Sequence, residues 1–155
     1  MNLQNKIFSI LILLSLTACD SGVDKSKVAG VWSYSDSQCD NNDANIQGAS
    51  LEIDFAIKGD GTRTFTTNNC VITNTFKWVL DGNDITIASK STECEPANCT
   101  QDLEIDGTAF TLECSQNFED IWKNSTIKLD GNSAEETFNV ENIECKNTYI
   151  NPDLE

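Results

Sequence analysis

The sequence contains no histidine, and this absence narrows the chemistry open to the chain. Without an imidazole there is no Ser–His–Asp or Cys–His arrangement for nucleophilic catalysis, and mixed cysteine–histidine metal sites are excluded. The acidic neighbours Glu119-Asp120 and Glu135-Glu136 remain for acid–base work. Adjacent strand residues point to opposite faces, however, and such pairs are typical of solvated surface. We therefore expect no enzymatic activity, no cofactor and no metal ion.

Positive charge is also scarce. Acidic residues outnumber lysine and arginine 25 to 10, and the formal net charge is −15. This charge argues against nucleic acid and against electrostatic binding to anionic lipid headgroups, and it is compatible with either a cationic partner or a plain solvated surface. The acidic stretch 40–43 lacks the glycine and distal glutamate of an EF-hand loop, so it is predicted to be a polar loop.

The chain also lacks an apolar run long enough to cross a bilayer. The longest stretch, Ile7 to Leu16, has about ten residues, about half of what a transmembrane helix needs. Lys6 precedes this stretch, and the small residues Thr17 and Ala18 follow it. A positive start, a short apolar core and small residues before a cleavage point predict a secretory signal peptide over residues 1–18.

The next residue carries a more specific signal. Leu16-Thr17-Ala18-Cys19 resembles the lipobox of bacterial lipoproteins. The resemblance implies cleavage before Cys19, a diacylglycerol on its sulfur, and acylation of the new N-terminus by a fatty acid such as palmitate. Two or three acyl chains are enough for stable anchoring. We therefore expect a protein of the bacterial cell envelope that is lipid-anchored to a membrane and faces the periplasm.

Asp20 bears on which membrane that is. An aspartate after the lipidated cysteine resembles the inner-membrane retention signal of enteric lipoproteins, and the outer membrane is the alternative. Residues 19–27 are predicted to form the lipidated cysteine and a flexible tether. Residues 28–155 have the length of a single domain. Removal of Lys6 with the signal leaves the mature protein with a net charge of −16.

Six cysteines remain once Cys19 carries lipid. An even number in an exported domain predicts three disulfides, with about 15 connectivities open. A thiolate metal site needs closer clustering than this sequence offers. The disulfide candidates are Cys39, Cys70, Cys94, Cys99, Cys114 and Cys145.

The domain has the sequence pattern of an all-β protein. Apolar and polar residues alternate from Leu51 to Ile57, which predicts a strand with one buried face. Asp-Gly, a strong hairpin signal, occurs at residues 60–61, 81–82, 106–107 and 130–131. Asn117 to Lys123 is predicted to form a short helical turn. We predict an antiparallel up-and-down meander of about eight to nine strands closed into a barrel, with a β-sandwich as the alternative.

The first two Asp-Gly pairs predict strand registers. A two-residue turn at the second pair sets Trp78 opposite Ile85. The first pair fits a three-residue loop, Gly59 to Gly61, that sets Phe55 opposite Phe65. Gly61 would then take the left-handed conformation that this loop requires.

The last two pairs predict registers of different kinds. A two-residue turn at the third pair sets Leu103 opposite Phe110. The same ladder brings Cys99 opposite Cys114, at a separation that a disulfide bridges. The fourth pair is predicted to lie in a longer loop, residues 130–137, because only then do the apolar residues of the flanking strands meet.

Several short motifs resemble the lipocalin-like domains of small bacterial lipoproteins. Residues 27–32 (KVAGVW) resemble the G-x-W start of such domains, and Phe55 with residues 60–62 and the stretch 78–87 (WVLDGNDITI) resemble their later strands. The resemblance covers residues 27 to 112 and implies a barrel with Trp32 at its floor. The inward set implied is Trp32, Tyr34, Phe55, Phe65, Phe76, Trp78, Phe110 and Phe138.

The inward aromatic residues leave two outcomes open. A barrel of eight or nine strands either encloses a cavity for a small apolar ligand or is filled by its own side chains. We predict a non-enzymatic binding role, with a small apolar ligand as the partner. The alternative is a protein–protein interaction module, for example an inhibitor of a cationic enzyme, whose encounter the negative charge would accelerate.

Overall fold

The computed structural model describes residues 24–40, 42–43, 49–105, 108–114, 116–123, 125–140 and 142–154. Eleven strands and two short helices lie in these ranges. In chain order they are α1 (Lys25–Val28), β1 (Gly30–Cys39), β2 (Asn42–Asp43), β3 (Ser50–Phe55), β4 (Asp60–Thr66), β5 (Val71–Asp81), β6 (Asp84–Glu95), β7 (Thr100–Ile105), β8 (Thr108–Glu113), α2 (Gln116–Lys123), β9 (Thr126–Asp130), β10 (Ser133–Val140) and β11 (Ile143–Ile150).

Eight of the strands form a closed antiparallel barrel. Their order around the barrel is β1, β3, β4, β5, β6, β9, β10 and β11, and β11 pairs with β1 to close it. Closure leaves these strands with no free edge. The two-residue β2 pairs with β1 and with no other strand of the described part. The predicted barrel is therefore confirmed, and the alternative, a β-sandwich, is wrong.

The alternation seen in the sequence sets the inside and outside of the barrel. Along β3 the side chains of Leu51, Ile53 and Phe55 are buried, whereas Glu52 and Asp54 are exposed. The same period of two recurs along β4, β5 and β9, as expected for strands with one face on a core. The buried apolar residues form one cluster, which extends from the barrel interior to Leu112 on β8 and to Phe118 and Trp122 on α2.

The two ends of the barrel differ in what covers them. At one end β1 begins directly after α1, and the chain finishes there after β11. We call this the chain-entry end, and its strands are joined by short turns at residues 56–59, 82–83 and 131–132. At the other end, the far end, lie all three disulfides and helix α2.

An insertion interrupts the predicted meander. Among the described strands, β7 and β8 pair only with each other. Along the chain they and α2 lie between β6 and β9, which are neighbours in the barrel. The prediction that this hairpin belongs to the barrel sheet is wrong, because β6 pairs directly with β9. The predicted helix over residues 117–123 is confirmed as α2, which begins at Gln116.

Three disulfides form, as predicted. Cys39–Cys145 ties β1 to β11, the two strands that close the barrel, and their Cα atoms are 4.0 Å apart. Cys70–Cys99 and Cys94–Cys114 fasten both ends of the inserted hairpin to the barrel. The insertion is therefore held at its base by covalent bonds to neighbouring strands.

The predicted register of this hairpin is confirmed, but the Cys99–Cys114 disulfide that the register allowed does not form. Leu103 pairs with Phe110, and the Cys114 N–H donates to the Cys99 carbonyl at 3.0 Å, so the two cysteines do lie opposite each other. Their side chains instead bond to cysteines of the barrel. The geometry of the hairpin gives no information on Cys70 and Cys94, which lie close enough to bond to Cys99 and Cys114.

Two predicted turns are displaced along the chain. Trp78 pairs with Ile87 rather than Ile85, because the turn residues are Gly82 and Asn83. Gly82 has φ of 60° at the first central position, as a type II′ turn requires. In the first hairpin Phe65 pairs with Leu51 rather than with the predicted Phe55.

Gly61 does not have the predicted left-handed role. Gly59 supplies the positive φ of the first hairpin, at 86°. Gly61 lies within β4, where a Cβ atom would come within 2.4 Å of the Phe76 ring. Gly61 is therefore suited to its position by the close approach of that ring.

The fourth hairpin differs most from its prediction. Its turn has two residues, Gly131 and Asn132, and not the long loop 130–137. The strands continue directly, so that Leu129 pairs with Ala134 and Ile127 pairs with Glu136. A glutamate thus occupies an inward position at which an apolar residue was expected.

The N-terminal part of the chain falls largely outside the described residues. The signal peptide, the lipobox with Cys19, and Asp20 all lie there, as does Asn41 of the acidic stretch 40–43. Lys25–Val28 forms a helical turn capped by Asp24, whose carboxylate accepts from the Ser26 N–H at 3.0 Å. This part of the predicted flexible tether is therefore ordered. None of the helices in the described ranges has the length and apolar character needed to cross a membrane.

Candidate functional site

Half of the predicted lining residues pack as a core layer near the chain-entry end. The ring centroids of Phe55 and Phe76 are 5.8 Å apart, and those of Phe55 and Trp78 are 5.3 Å apart, both with edge-to-face geometry. Trp32 is buried in the same end of the barrel, as the floor position predicts. Edge-to-face pairs stabilise the folded state beyond their buried area. Phe55 thus packs against both Phe76 and Trp78, and all four aromatic residues are buried.

The other predicted lining residues are more dispersed. Phe65 is buried at the far end, where its ring lies 5.5 Å from that of Phe118 on α2. Tyr34 and Phe138 are partly buried against the core. Burial raises the pKa of the Tyr34 hydroxyl. Phe110 lies on β8, and its side chain is outside the described part.

A small recess lies among the far-end members of this set. Its lining includes Tyr34, Leu51, Phe65 and Asn147, and its volume is about 10 Å³. A volume of this size holds roughly one water molecule. This recess is too small for a small-molecule ligand.

The middle of the barrel contains a buried ion pair that the sequence reading missed. Arg63, the chain's one arginine, and Glu136 both have no exposed side-chain surface. One guanidinium nitrogen, Nη1, donates to Glu136 Oε1 at 2.6 Å. Ser125 Oγ lies 3.4 Å from both terminal nitrogens of Arg63. A buried charge is tolerated when it is paired and hydrogen-bonded, as both charges are here. Within the described residues, Arg63 Nε is left without a hydrogen-bond partner.

Further polar side chains extend the ion pair across the barrel. The Tyr149 hydroxyl donates to the second oxygen of Glu136 at 2.5 Å. Asn147 donates to the Tyr149 oxygen at 3.4 Å and accepts from Ser37 at 2.9 Å. We call this chain, from Arg63 to Ser37, the interior polar network. It links β4, β10, β11 and β1.

The surroundings of this network determine its chemistry. The guanidinium carbon of Arg63 lies 5.7 Å from the centre of the Phe76 ring and 5.1 Å from that of Trp122 on α2. Burial, with the charge of Glu136 as the second cause, raises the pKa of Tyr149 well above its ordinary value. Both carboxylate oxygens of Glu136 are occupied. The network is thus suited to hold β4, β10, β11 and β1 together.

A larger recess lies at the chain-entry end, outside the barrel interior. Its volume is about 410 Å³, within the range of small-molecule sites. Apolar residues form its floor and polar residues stand at its rim. The floor residues are Val28, Trp32, Leu129 and Leu154, and the rim residues are Lys27, Asn83 and Asp153. We call it the entry recess.

Hydrogen bonds fix the walls of the entry recess. The indole N–H of Trp32 donates to the Val28 carbonyl at 2.8 Å and so holds α1 against the barrel. The Leu129 N–H donates to the carbonyl of Asn83 at 2.8 Å. The Leu154 N–H donates to Asn151, which is itself buried. An apolar floor with charges of both signs at its rim is suited to an amphiphile.

The sequence contained a signal for the buried ion pair but none for the entry recess. Arg63 lies at an inward position of β4, and Glu136 lies at an inward position of β10. Two opposite charges at inward positions are the sequence signal that indicates a buried ion pair. The glutamate pair 135–136 was predicted to be solvated surface, which is right for Glu135 and wrong for Glu136. Glu119 and Asp120, the other acidic pair, lie exposed on α2. No sequence pattern joins Lys27, Asn83 and Asp153, because they are distant along the chain.

Two further results bear on the site. In the described part of the chain, no group of three or more cysteine, aspartate and glutamate side chains is placed to hold a metal ion. No known protein family, curated protein or solved structure matches this chain.

Proposed function

We propose that this protein is a lipid-anchored lipoprotein of the bacterial cell envelope with a non-enzymatic binding role. Cys19 carries the anchor, and the barrel faces the periplasm from the inner membrane, with the outer membrane as the alternative. The ligand is a small molecule with an apolar body and a polar head. The entry recess carries this proposal, because it has the volume and lining of a small-molecule site.

The entry recess fits the ligand better than the barrel interior does. The predicted lining residues near the floor pack against one another, and a buried ion pair occupies the middle. The recess instead lies at the surface, where its rim residues Lys27, Asn83 and Asp153 are exposed. At its rim, the ammonium group of Lys27 can donate hydrogen bonds to a polar head, and the carboxylate of Asp153 can accept them.

Native mass spectrometry of the full chain, expressed in bacteria and purified from membranes, tests both parts of the proposal. We expect a chain that starts at Cys19, carries covalent acyl mass and has six oxidised cysteines. We also expect a non-covalent companion of small-molecule mass. The Cys19→Ser variant should remain an unlipidated precursor. Acylation of that variant would contradict the lipobox, and a bare lipidated chain would contradict the ligand.

A charge placed in the recess floor tests the location of the ligand. Leu154→Glu adds a carboxylate to the apolar floor near the end of the chain, away from the barrel strands. Because an apolar ligand cannot compensate its desolvation, we expect the dissociation constant of the companion molecule to rise by about tenfold or more, ~1.4 kcal/mol. Val71→Glu, at the far end, is the matched control and should bind normally. Equal binding by both variants would place the ligand elsewhere.

A cationic protein partner is the second candidate, and an uneven charge distribution favours it. The far end carries many more exposed carboxylates than lysines. The described carboxylates there are Asp36, Asp40, Glu93, Glu95, Asp102, Glu113, Glu119, Asp120 and Glu144, against Lys123 and Lys146. A field of one sign speeds the encounter with an oppositely charged protein. A bare, oxidised, lipidated chain in the mass spectrum would favour this candidate.

A further inference from the structure

Exposed large apolar side chains collect at the chain-entry end. Of the five in the described part of the chain, four lie there: Val31, Ile57, Val79 and Ile150, with exposed fractions of 47%, 57%, 60% and 41%. The fifth, Val71, begins β5 at the far end. Single exposed apolar residues are ordinary, but a group at one end of a small barrel indicates a surface that meets an apolar partner.

These four residues lie on neighbouring elements. Ile150 ends β11, Val31 follows the start of β1, Ile57 lies in the turn between β3 and β4, and Val79 is near the end of β5. The elements are consecutive around the barrel, in the order β11, β1, β3, β4 and β5. The four residues therefore form an arc, which we call the apolar rim. On β3 the exposed carboxylate of Asp54, which pairs with Val31, interrupts this arc.

Lysines accompany the apolar rim. Lys25 and Lys27 are exposed on α1, and Lys58 is exposed beside Ile57 in the same turn. A lysine stem covers apolar surface while its ammonium group reaches a polar layer, an arrangement typical of membrane interfaces. Asp60, nearby, has its charge offset by Lys77 at 2.6 Å and Lys90 at 3.1 Å, and these two hydrogen bonds lower its pKa.

The surplus of carboxylates described above lies at the far end, whereas charges of the two signs are nearly balanced at the chain-entry end. The described carboxylates at the chain-entry end are Asp24, Asp54, Asp60, Asp81, Asp84, Asp130 and Asp153, against Lys25, Lys27, Lys58, Lys77, Lys90 and Lys128. Charges that lie beyond a Debye length, about 8–10 Å in physiological salt, are largely screened from the surface. Anionic lipids would therefore disfavour the far end more than the chain-entry end.

The start of the chain points to what covers the rim. Asp24, the first described residue, lies directly before α1 and caps it. Four residues lie between it and Cys19, and the five steps from Cys19 to Asp24 span at most about 18 Å when extended. An anchor on Cys19 would keep the chain-entry end close to the bilayer.

We propose that the chain-entry end lies on the membrane surface, with the apolar rim among the lipid headgroups and the lysines at lipid phosphates. This inference rests on the lipid anchor of the proposed function and adds an orientation to it. The entry recess then opens beside the lipids, which makes a membrane lipid the class of amphiphile that it receives. The acidic far end points away from the bilayer.

Photocrosslinking to lipid tests this orientation with the full lipidated protein. The protein is reconstituted into vesicles of phosphatidylethanolamine and phosphatidylglycerol that contain a phospholipid with a photoreactive group near its headgroup. Peptide mass spectrometry then locates the crosslinks. We expect them in residues 54–60 and around Val31, and not around Val71. Ile57→Asp should reduce the crosslink yield of the turn several-fold, whereas the matched change Val71→Asp should leave it unaltered.

The outcomes separate this inference from the proposed function. An acylated chain whose crosslinks are confined to residues 19–24 would overturn the orientation and leave the anchor in place. An acylated chain that Ile57→Asp leaves fully crosslinked at the turn would also overturn it. A chain without acyl mass would overturn the anchor, and with it the basis of this inference.

Discussion

Removal of the Cys39–Cys145 disulfide is expected to lower the free energy of unfolding by about 4–5 kcal/mol. The two cysteines are 106 residues apart, so the bond closes most of the domain into one loop and restricts the unfolded chain accordingly. The loss is large against the total stability of ordinary domains, about 5–15 kcal/mol. The double variant Cys39→Ala/Cys145→Ala avoids a free thiol. Urea unfolding of the oxidised protein, followed by tryptophan fluorescence, measures the change.

A second disulfide serves as the matched control. Cys94→Ala/Cys114→Ala also removes a bond at the far end, but that bond spans only 20 residues. The same loop-entropy argument gives a smaller loss, about 3 kcal/mol. Losses in the reverse order would contradict the argument and would place the main effect of the bonds in the folded state. A loss below about 1 kcal/mol for Cys39–Cys145 would show that the β1–β11 hydrogen bonds alone hold the barrel closed.

The fold class was predictable because alternation decides which face of a strand is buried. Each displaced hairpin register is displaced by an even number of residues. Trp78, for example, pairs with Ile87 and not Ile85, yet all three side chains are buried. Since the side-chain period of a strand is two, an even displacement keeps every residue on its face. The buried faces of these hairpin strands were therefore predicted correctly although their pairing was not.

The turns were less predictable because glycine position decides the turn type. The sequence predicted Asp81 and Gly82 as the two central residues of the turn. In the structure the central residues are Gly82 and Asn83, one position further along the chain. The inserted hairpin was also unpredictable. Its strands alternate like those of the barrel, and only the direct pairing of β6 with β9 separates it from the sheet.

The candidate site was predictable only at Trp32. That residue was placed at the barrel floor by resemblance to lipocalin-like domains, and it does line the entry recess. The other walls come from α1, from the turn at Asn83 and from the C-terminal Leu154. These segments meet because they all lie at the chain-entry end. Sequence patterns predict periodicity within a segment, and they carry little information about which segments converge.

Glu136 is the position at which the sequence reading failed most clearly, and it carries the second large effect. Glu136→Ala is expected to lower the free energy of unfolding by about 3–5 kcal/mol, because it leaves the guanidinium of Arg63 buried without its partner. The Tyr149 hydroxyl also loses the carboxylate to which it donates. Urea unfolding by tryptophan fluorescence measures the loss. The adjacent Glu135, which forms an exposed ion pair with Lys146, is the matched control, and Glu135→Ala should cost less than about 1 kcal/mol.

A double variant separates the loss of the pair from the burial of a lone charge. Arg63→Met/Glu136→Leu replaces both members of the pair with apolar residues of similar length. Because two desolvation costs disappear together with the attraction, we expect this variant to be more stable than Glu136→Ala by several kcal/mol. It should fall short of full recovery, since the Tyr149 hydroxyl remains without its acceptor, at a cost of about 1–3 kcal/mol. If the double variant were as unstable as Glu136→Ala, the ion pair itself would be the main source of stability, and the barrel would depend on its polar interior rather than tolerate it.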